Sequence, residues 1–241
     1  DAEPAYVLHS YPFRETSLIV EAFTRNCGRV ALVARGARRP RSALRGVLLA
    51  FQPLLITWGG KAELRTLHKA EWQGGLPQLQ GRGLLCGFYL NELLLKLLAR
   101  DDAHEALYET YHATLCALSN GGDLAATLRG FEQRLLKEAG YALTLDRDAV
   151  SGEAIRADCT YRYLVERGLV RVMRAAEPSS GGDAENQLEL SGQTLLDMAR
   201  DDYSSAATLQ QSKALMRMLI NHCLGKQTLN TRQLLKDMQQ L

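Results

Sequence analysis

From Ala5 to about Trp72, apolar and polar positions alternate with a period near two and turn-forming residues recur at short intervals, which predicts short antiparallel strands. The strands are expected at Tyr6 to Phe13, Ser17 to Thr24, Arg29 to Ala37, Phe51 to Trp58 and Glu63 to Glu71. Their turns fall at Arg14-Glu15-Thr16, at Asn26-Cys27-Gly28, in an arginine-rich loop, and at Gly59-Gly60-Lys61. Five short strands in some seventy residues, with aromatics at Tyr6, Tyr11, Phe13, Phe23, Phe51 and Trp58, fit the OB-fold, a small barrel that binds oligonucleotides on one face. An SH3-like barrel would produce nearly the same alternation.

Near residue 80 the period changes. After the linker Gly74-Gly75-Leu76-Pro77, Leu84, Leu85, Phe88, Leu94, Leu95 and Leu98 recur at helical spacing up to about Arg100. Helices are predicted next at about Ala103 to Ser119 and Leu124 to Ala139, separated by Asn120-Gly121-Gly122-Asp123, with Gly140 as the cap of the second. Residues 141 to 190 read as an irregular insertion around one hairpin, in which Thr160 to Val165 pairs with Leu169 to Met173. Helical spacing returns at about Gln193 to Arg200, Ala206 to Leu224 and Thr231 to Leu241. The fold class expected is therefore α+β: a barrel domain over 1–80, then a mostly helical domain over 81–241.

Charge changes this picture more than composition does. The 241 residues carry 29 Lys and Arg against 27 Asp and Glu, a nearly balanced total. Between Glu21 and Glu63, however, stand Arg25, Arg29, Arg35, Arg38, Arg39, Arg41, Arg45 and Lys61 with no carboxylate among them, and Arg65 follows in the next strand. A β-domain with one sign of charge suits a polyanion, and guanidinium forks bond phosphate oxygens in pairs and stack on bases. These nine residues are the candidate DNA-binding set, with Tyr11, Phe13 and Trp58 as candidate stacking platforms.

No stretch has the eighteen or more apolar residues of a membrane span and no basic-then-apolar leader opens the chain, so no membrane association and a cytoplasmic location are expected. The chain starts at Asp1 rather than Met, so a few native residues are expected to precede it. Its five cysteines, at 27, 86, 116, 159 and 223, form no CxxC pair, so neither a disulfide framework nor a cysteine zinc site is expected. The pairs Asp101-Asp102, Asp201-Asp202 and Asp146/Asp148 lack a nearby histidine to complete a metal site, and no nucleophile-elbow, zinc-protease or phosphate-loop pattern occurs. No catalytic residue and no cofactor are expected. In the helical half, Arg129 lies beside Leu128, while Lys213 and Arg217 share a face interleaved with Leu215, Met216, Met218 and Leu219. Cations beside a Leu/Met surface suit an acidic peptide with a hydrophobic end.

The run Tyr6-Val7-Leu8-His9-Ser10 through Arg14-Glu15-Thr16-Ser17-Leu18, then Gly28-Arg29-Val30, Val33-Ala34-Arg35-Gly36-Ala37-Arg38 and Phe51-Gln52-Pro53-Leu54-Leu55, closely resembles the bacterial RecO family. Tyr89-Leu90-Asn91-Glu92-Leu93, Arg129-Gly130-Phe131-Glu132 and Gly140-Tyr141 extend the likeness through the helical half. The resemblance implies an N-terminal OB-fold and a non-enzymatic mediator of DNA recombination and repair. Such a mediator binds single- and double-stranded DNA and anneals complementary strands. With RecR it helps RecA load onto DNA coated by single-stranded DNA-binding protein, whose acidic C-terminal tail it also binds. By the same resemblance Arg129, Lys213 and Arg217 fall at the tail-binding positions. Many members hold zinc in a four-cysteine module; here the first pair reads Asp148-Ala149-Val150-Ser151 and the second is absent, so the loop is expected to hold by packing alone, with 175–187 loose. Two rival readings are a protein adaptor that does not touch DNA and a metal-dependent nuclease built on an aspartate pair.

Overall fold

The structure, a computed structural model, describes residues 2–141, 143–165, 167–172 and 187–233. The chain divides into two compact units, one of residues 1–127 with 229–241 and one of 128–228.

In the first unit β1 (Glu3–Phe13), β2 (Ser17–Thr24), β3 (Gly28–Ala34), β4 (Leu54–Gly59) and β5 (Leu64–Trp72) close a barrel in the order β1-β2-β3-β5-β4. This is the expected OB-fold, and the strand order distinguishes it from the SH3-like barrel that the alternation alone also allowed. All pairs are antiparallel except β3 with β5, where Ala31 faces Leu64 and Val33 faces Thr66. Alternation sorts the side chains. Ala5, Val7, Val20, Ala22, Val30, Leu32, Ala34, Leu54, Ile56 and Leu67 fill the interior. Tyr6, Leu8, Glu21 and Phe23 point the other way and are nevertheless buried, because helices cover them. A short helix, α1 (Leu44–Val47), follows the arginine-rich loop and was not foreseen, since four residues are too few to show a period.

Helices α2 (Gly81–Leu97) and α3 (Glu105–Ser119) supply that cover. The phenol rings of Tyr108 and Tyr111 pack against Tyr6 with centroids 5.6 and 5.1 Å away. Asn91 donates to the Leu8 carbonyl at 2.9 Å and accepts from the Tyr111 hydroxyl at 2.5 Å. Its neighbour Glu92 accepts from the backbone amides of Asn230 and Thr231 at 2.8 and 2.9 Å and so binds the returning C-terminal segment. These two bonds give the Tyr89-to-Leu93 string its physical content. The predicted helix from Thr231 to Leu241 lies outside the described residues beyond residue 233.

The chain enters the second unit within α4 (Leu124–Glu138). Gly140, at φ +86°, ends that helix, with the Tyr141 amide bonded back to the Leu136 carbonyl at 2.9 Å. That is the expected glycine cap. The predicted hairpin forms as β6 (Thr160–Leu164) and β7 (Gly168–Arg171), but a third strand, β8 (Gln187–Ser191), joins β6 on its other edge. The insertion is thus a small sheet, and β8 escaped notice because it is short and lies far along the chain from its partner. Ser191 caps α5 (Gly192–Ala199), and α6 (Ala206–Leu224) completes the unit.

The expectation that the loop after α4 holds by packing alone is corrected by Asp148. One carboxylate oxygen accepts from the amides of Val150 and Ser151 at 2.8 Å each, and the other from Arg171 at 2.6 Å. This knot ties the loop to β7 at the place where the resemblance implied a pair of zinc ligands. Both oxygens are engaged by amides, so the residues at this position do not fit a metal. Of the loop expected at 175–187, residues 175–186 fall outside the described residues, and Gln187 opens β8.

Candidate nucleic-acid interface

The nine barrel cations do not act as one group. Arg25 bridges Glu105 at 2.8 Å and Glu109 at 3.0 Å, and Arg65 bridges Asp101 at 2.6 Å. Arg29 bonds the buried carboxylate of Glu21 at 3.2 Å, and Arg100 bonds the same carboxylate as well as Glu63. Burial pulls the pKa of the Arg29 guanidinium down, opposed by the attraction of Glu21. These three candidates are neutralised by the protein's own acids. By contrast Arg35, Arg38, Arg39, Arg41, Arg45 and Lys61 are exposed and make no ion pair among the described residues.

Strand register places these six. The arginine-rich loop leaves β3 at Ala34, whereas Lys61 lies three residues before Leu64, the partner of Ala31, and so belongs to the opposite end of β3. The loop has a companion that linear reading missed. Ala34 pairs with Leu18, which brings the β1–β2 turn alongside the loop. The Arg38 amide donates to the Thr16 carbonyl at 2.8 Å and its guanidinium to the Arg14 carbonyl at 3.4 Å. Exposed Arg14, at φ +51°, therefore joins Arg35, Arg38, Arg39, Arg41 and Arg45, with Glu15 the acid of the same turn. Counting along the chain could not show this, because the acid-free window opens only after Glu21.

The same end of the barrel presents aromatic surface. A register shift at Leu8 sets His9 opposite Glu21, Tyr11 opposite Ile19 and Phe13 opposite Ser17, all on the outer side. Tyr11 is 46% exposed, its ring meets His9 edge-on at 4.4 Å, and the Arg14 guanidinium stands 5.1 Å from the Phe13 ring centre. Trp58 instead packs against the barrel core, so of the three stacking candidates Tyr11 and Phe13 face outward here.

The other end of the outer face is closed. The segment after α2 crosses it, with the Asp101 amide bonded to the Arg29 carbonyl at 2.9 Å. Gly28, at φ +68°, is required there, because a Cβ would sit 1.8 Å from the Asp102 carbonyl oxygen. OB barrels bind strands over β2 and β3. In this protein that surface is taken by α3 and the Arg100 segment near Thr24 and stays open only toward Tyr11 and the arginine loop.

In the second unit Lys213 and Arg217 stand exposed one turn apart on α6. Arg129 does not join an open surface: its side chain is nine-tenths buried and its guanidinium is bonded to Glu132 at 2.7 Å. Leu128 is half-buried, but Leu215, expected beside the cations, is fully buried in the core, because α6 packs against both α5 and β8. Among the described residues no three His, Cys, Asp or Glu side chains gather as a metal site. The aspartates considered as ligands serve the fold: Asp101 pairs with Arg65, Asp146 with Arg147, Asp148 with amides, and Asp202 with the Ser204 amide. No helix of the described residues is long and apolar enough to cross a membrane.

Comparison with known families agrees with the geometry. Residues 2–75 match the model for the N-terminal domain of recombination protein O, and residues 78–233 match that for its C-terminal domain. The chain is 58% identical over its whole length to the DNA repair protein RecO of Nitrosospira multiformis, covering 97% of it. It is 55% identical to that of Aromatoleum aromaticum and 54% to that of an Azoarcus species, again over the full chain and 97% of each relative.

Proposed function

Because the chain belongs to the RecO family of DNA repair proteins, we propose that it is a non-enzymatic recombination mediator that holds single- and double-stranded DNA at the loop end of its barrel. The observation that carries this reading is the separation of the barrel's arginines into a paired set around Glu21 and an unpaired set at Arg14, Arg35, Arg38, Arg39, Arg41 and Arg45, beside Tyr11 and Phe13. Phosphates meet the guanidinium groups and unpaired bases stack on the rings. Annealing follows, because cations that neutralise two strands lower their repulsion, while sequence-independent contacts let the bases search for register.

The region beyond residue 80 docks partners: RecR, and the acidic C-terminal tail of single-stranded DNA-binding protein through Lys213 and Arg217. With no ATP-binding motif in the sequence, strand rearrangement is driven by binding energy. The test is annealing of complementary strands coated with single-stranded DNA-binding protein, with and without this chain. Acceleration without nucleotide supports the mediator. No acceleration together with no binding of naked DNA supports the adaptor, and Mg²⁺-dependent cleavage supports the nuclease.

A further inference from the structure

A recess of about 340 Å³ opens between the exposed side chains of Arg38 and Arg45, with Leu18, Ala37, Leu44 and Leu48 as its floor. Its size lies at the lower end of the range that holds a small ligand, roughly 300 to 1,000 Å³. The floor is built by three elements. Leu18 comes from β2 and Ala37, 1% exposed, from the loop; Leu44 opens α1 and Leu48 follows it as the C-cap, its amide bonded to the Leu44 carbonyl at 3.0 Å. The position of the loop is fixed by the Arg38 amide bonded to Thr16.

We infer that this recess takes one unpaired nucleobase of the bound strand. This rests on the DNA-binding reading and names the subsite within it. The ligand must match two features at once. A free phosphate would meet the arginines and leave the leucine floor empty. An aliphatic side chain would cover the floor and leave two guanidinium planes without a partner. A base has flat apolar faces that stack beneath guanidinium and fill an apolar floor, and it carries its phosphates outside, where Arg35, Arg39 and Arg41 stand exposed. Between Glu21 and Glu63 the chain has no carboxylate, and the one acid of the adjoining turn, Glu15, is outnumbered by the exposed arginines Arg14, Arg35, Arg38, Arg39, Arg41 and Arg45. A base can enter only when it is unstacked and unpaired, and the cost of extruding it is least in a single strand. The recess therefore selects single strands and gaps over intact duplex.

The test compares, at fixed salt and with the full chain, the affinities of an oligothymidine and of an abasic strand of equal length and charge. The intact strand is expected to bind about tenfold tighter or more, the scale of one stacked base. Arg45→Ala removes one lip from an exposed position, and Leu44→Trp fills the floor. Each should shrink the preference for the intact strand, whereas the salt dependence should be unchanged in Leu44→Trp. Equal affinity of the wild type for both strands overturns the inference while leaving DNA binding standing, and a strand that does not bind at all overturns the underlying reading instead. A preference that survives both substitutions and disappears in Tyr11→Ala places base recognition on the outer sheet and overturns the recess. So does displacement of an acidic peptide, rather than of the base preference, by Leu44→Trp.

Discussion

At the scale of single residues, Asp148 shows how one carboxylate stands in for a larger device. Burial alone would raise its pKa, but the amides of Ser151, Arg171 and Val150 outweigh burial and hold it below the ordinary value. A depressed folded-state pKa means that the group stabilises the fold fully above the unfolded carboxylate value of about 3.9, and that this contribution is lost as pH falls past it. Asp148→Ala removes all three bonds and leaves amides without partners, so it should cost about 3 kcal/mol, read as a lower thermal midpoint at pH 7. The difference between mutant and wild type should shrink as the pH falls below about 4. Nothing in the spacing of the sequence pointed to these bonds, since Arg171 lies 23 residues away. Arg14 was hidden in a similar way, its neighbour Arg38 being 24 residues distant and brought close only by strand pairing.

At the scale of elements, the arginines of β3 and of the loop after it differ in what they contact. Glu21 is 3% exposed and holds both Arg29 and Arg100, joining the barrel to the segment after α2. Removing one partner of a buried pair strands the other charge, at a cost of about 3 to 5 kcal/mol when burial is complete. Glu21→Ala should therefore lower stability by roughly 3 kcal/mol, and Arg29→Ala should do the same more weakly. Neither change should alter the salt dependence of DNA binding. Arg39→Ala and Arg41→Ala should do the reverse, leaving the melting temperature within about 2 °C of wild type, as surface substitutions do. Alternation and helical spacing made the barrel strands and the longer helices legible, because a buried face imposes its period on the residues. Which cations would be paired was not legible. For Arg25 and Arg65 that depends on acids contributed by α3 and by Asp101, far along the chain, and for Arg29 on Glu21 across the β2–β3 pair.

At the scale of the whole molecule, the proposed DNA site belongs to the first unit and the proposed peptide site to the second. Lys213 and Arg217 are the exposed cations of α6, while Arg129 is committed to Glu132. For an acidic peptide with a hydrophobic C-terminal residue, Arg217→Ala should weaken binding by about 1 to 3 kcal/mol, the range for hydrogen bonds to charged groups. Its affinity for naked DNA should stay the same, with fluorescence anisotropy as the readout for both ligands. The family was legible from ordered short strings in both halves of the chain, and the full-length matches agree with it. What the strings could not show is that the helical cover closes one end of the outer sheet and leaves the end beside Tyr11 and the arginine loop open.

The most direct test of that account is the salt dependence of single-strand binding in the wild type and in the Arg38→Glu, Arg39→Glu, Arg41→Glu triple mutant. If about five phosphates are neutralised, a slope of roughly −0.7 per contact implies about a hundredfold loss of affinity between 50 and 200 mM salt. The triple mutant should lose most of that slope and bind weakly at both salt concentrations while melting like the wild type. A triple mutant with unchanged affinity and slope would place the DNA away from the loop end of the barrel and contradict the account.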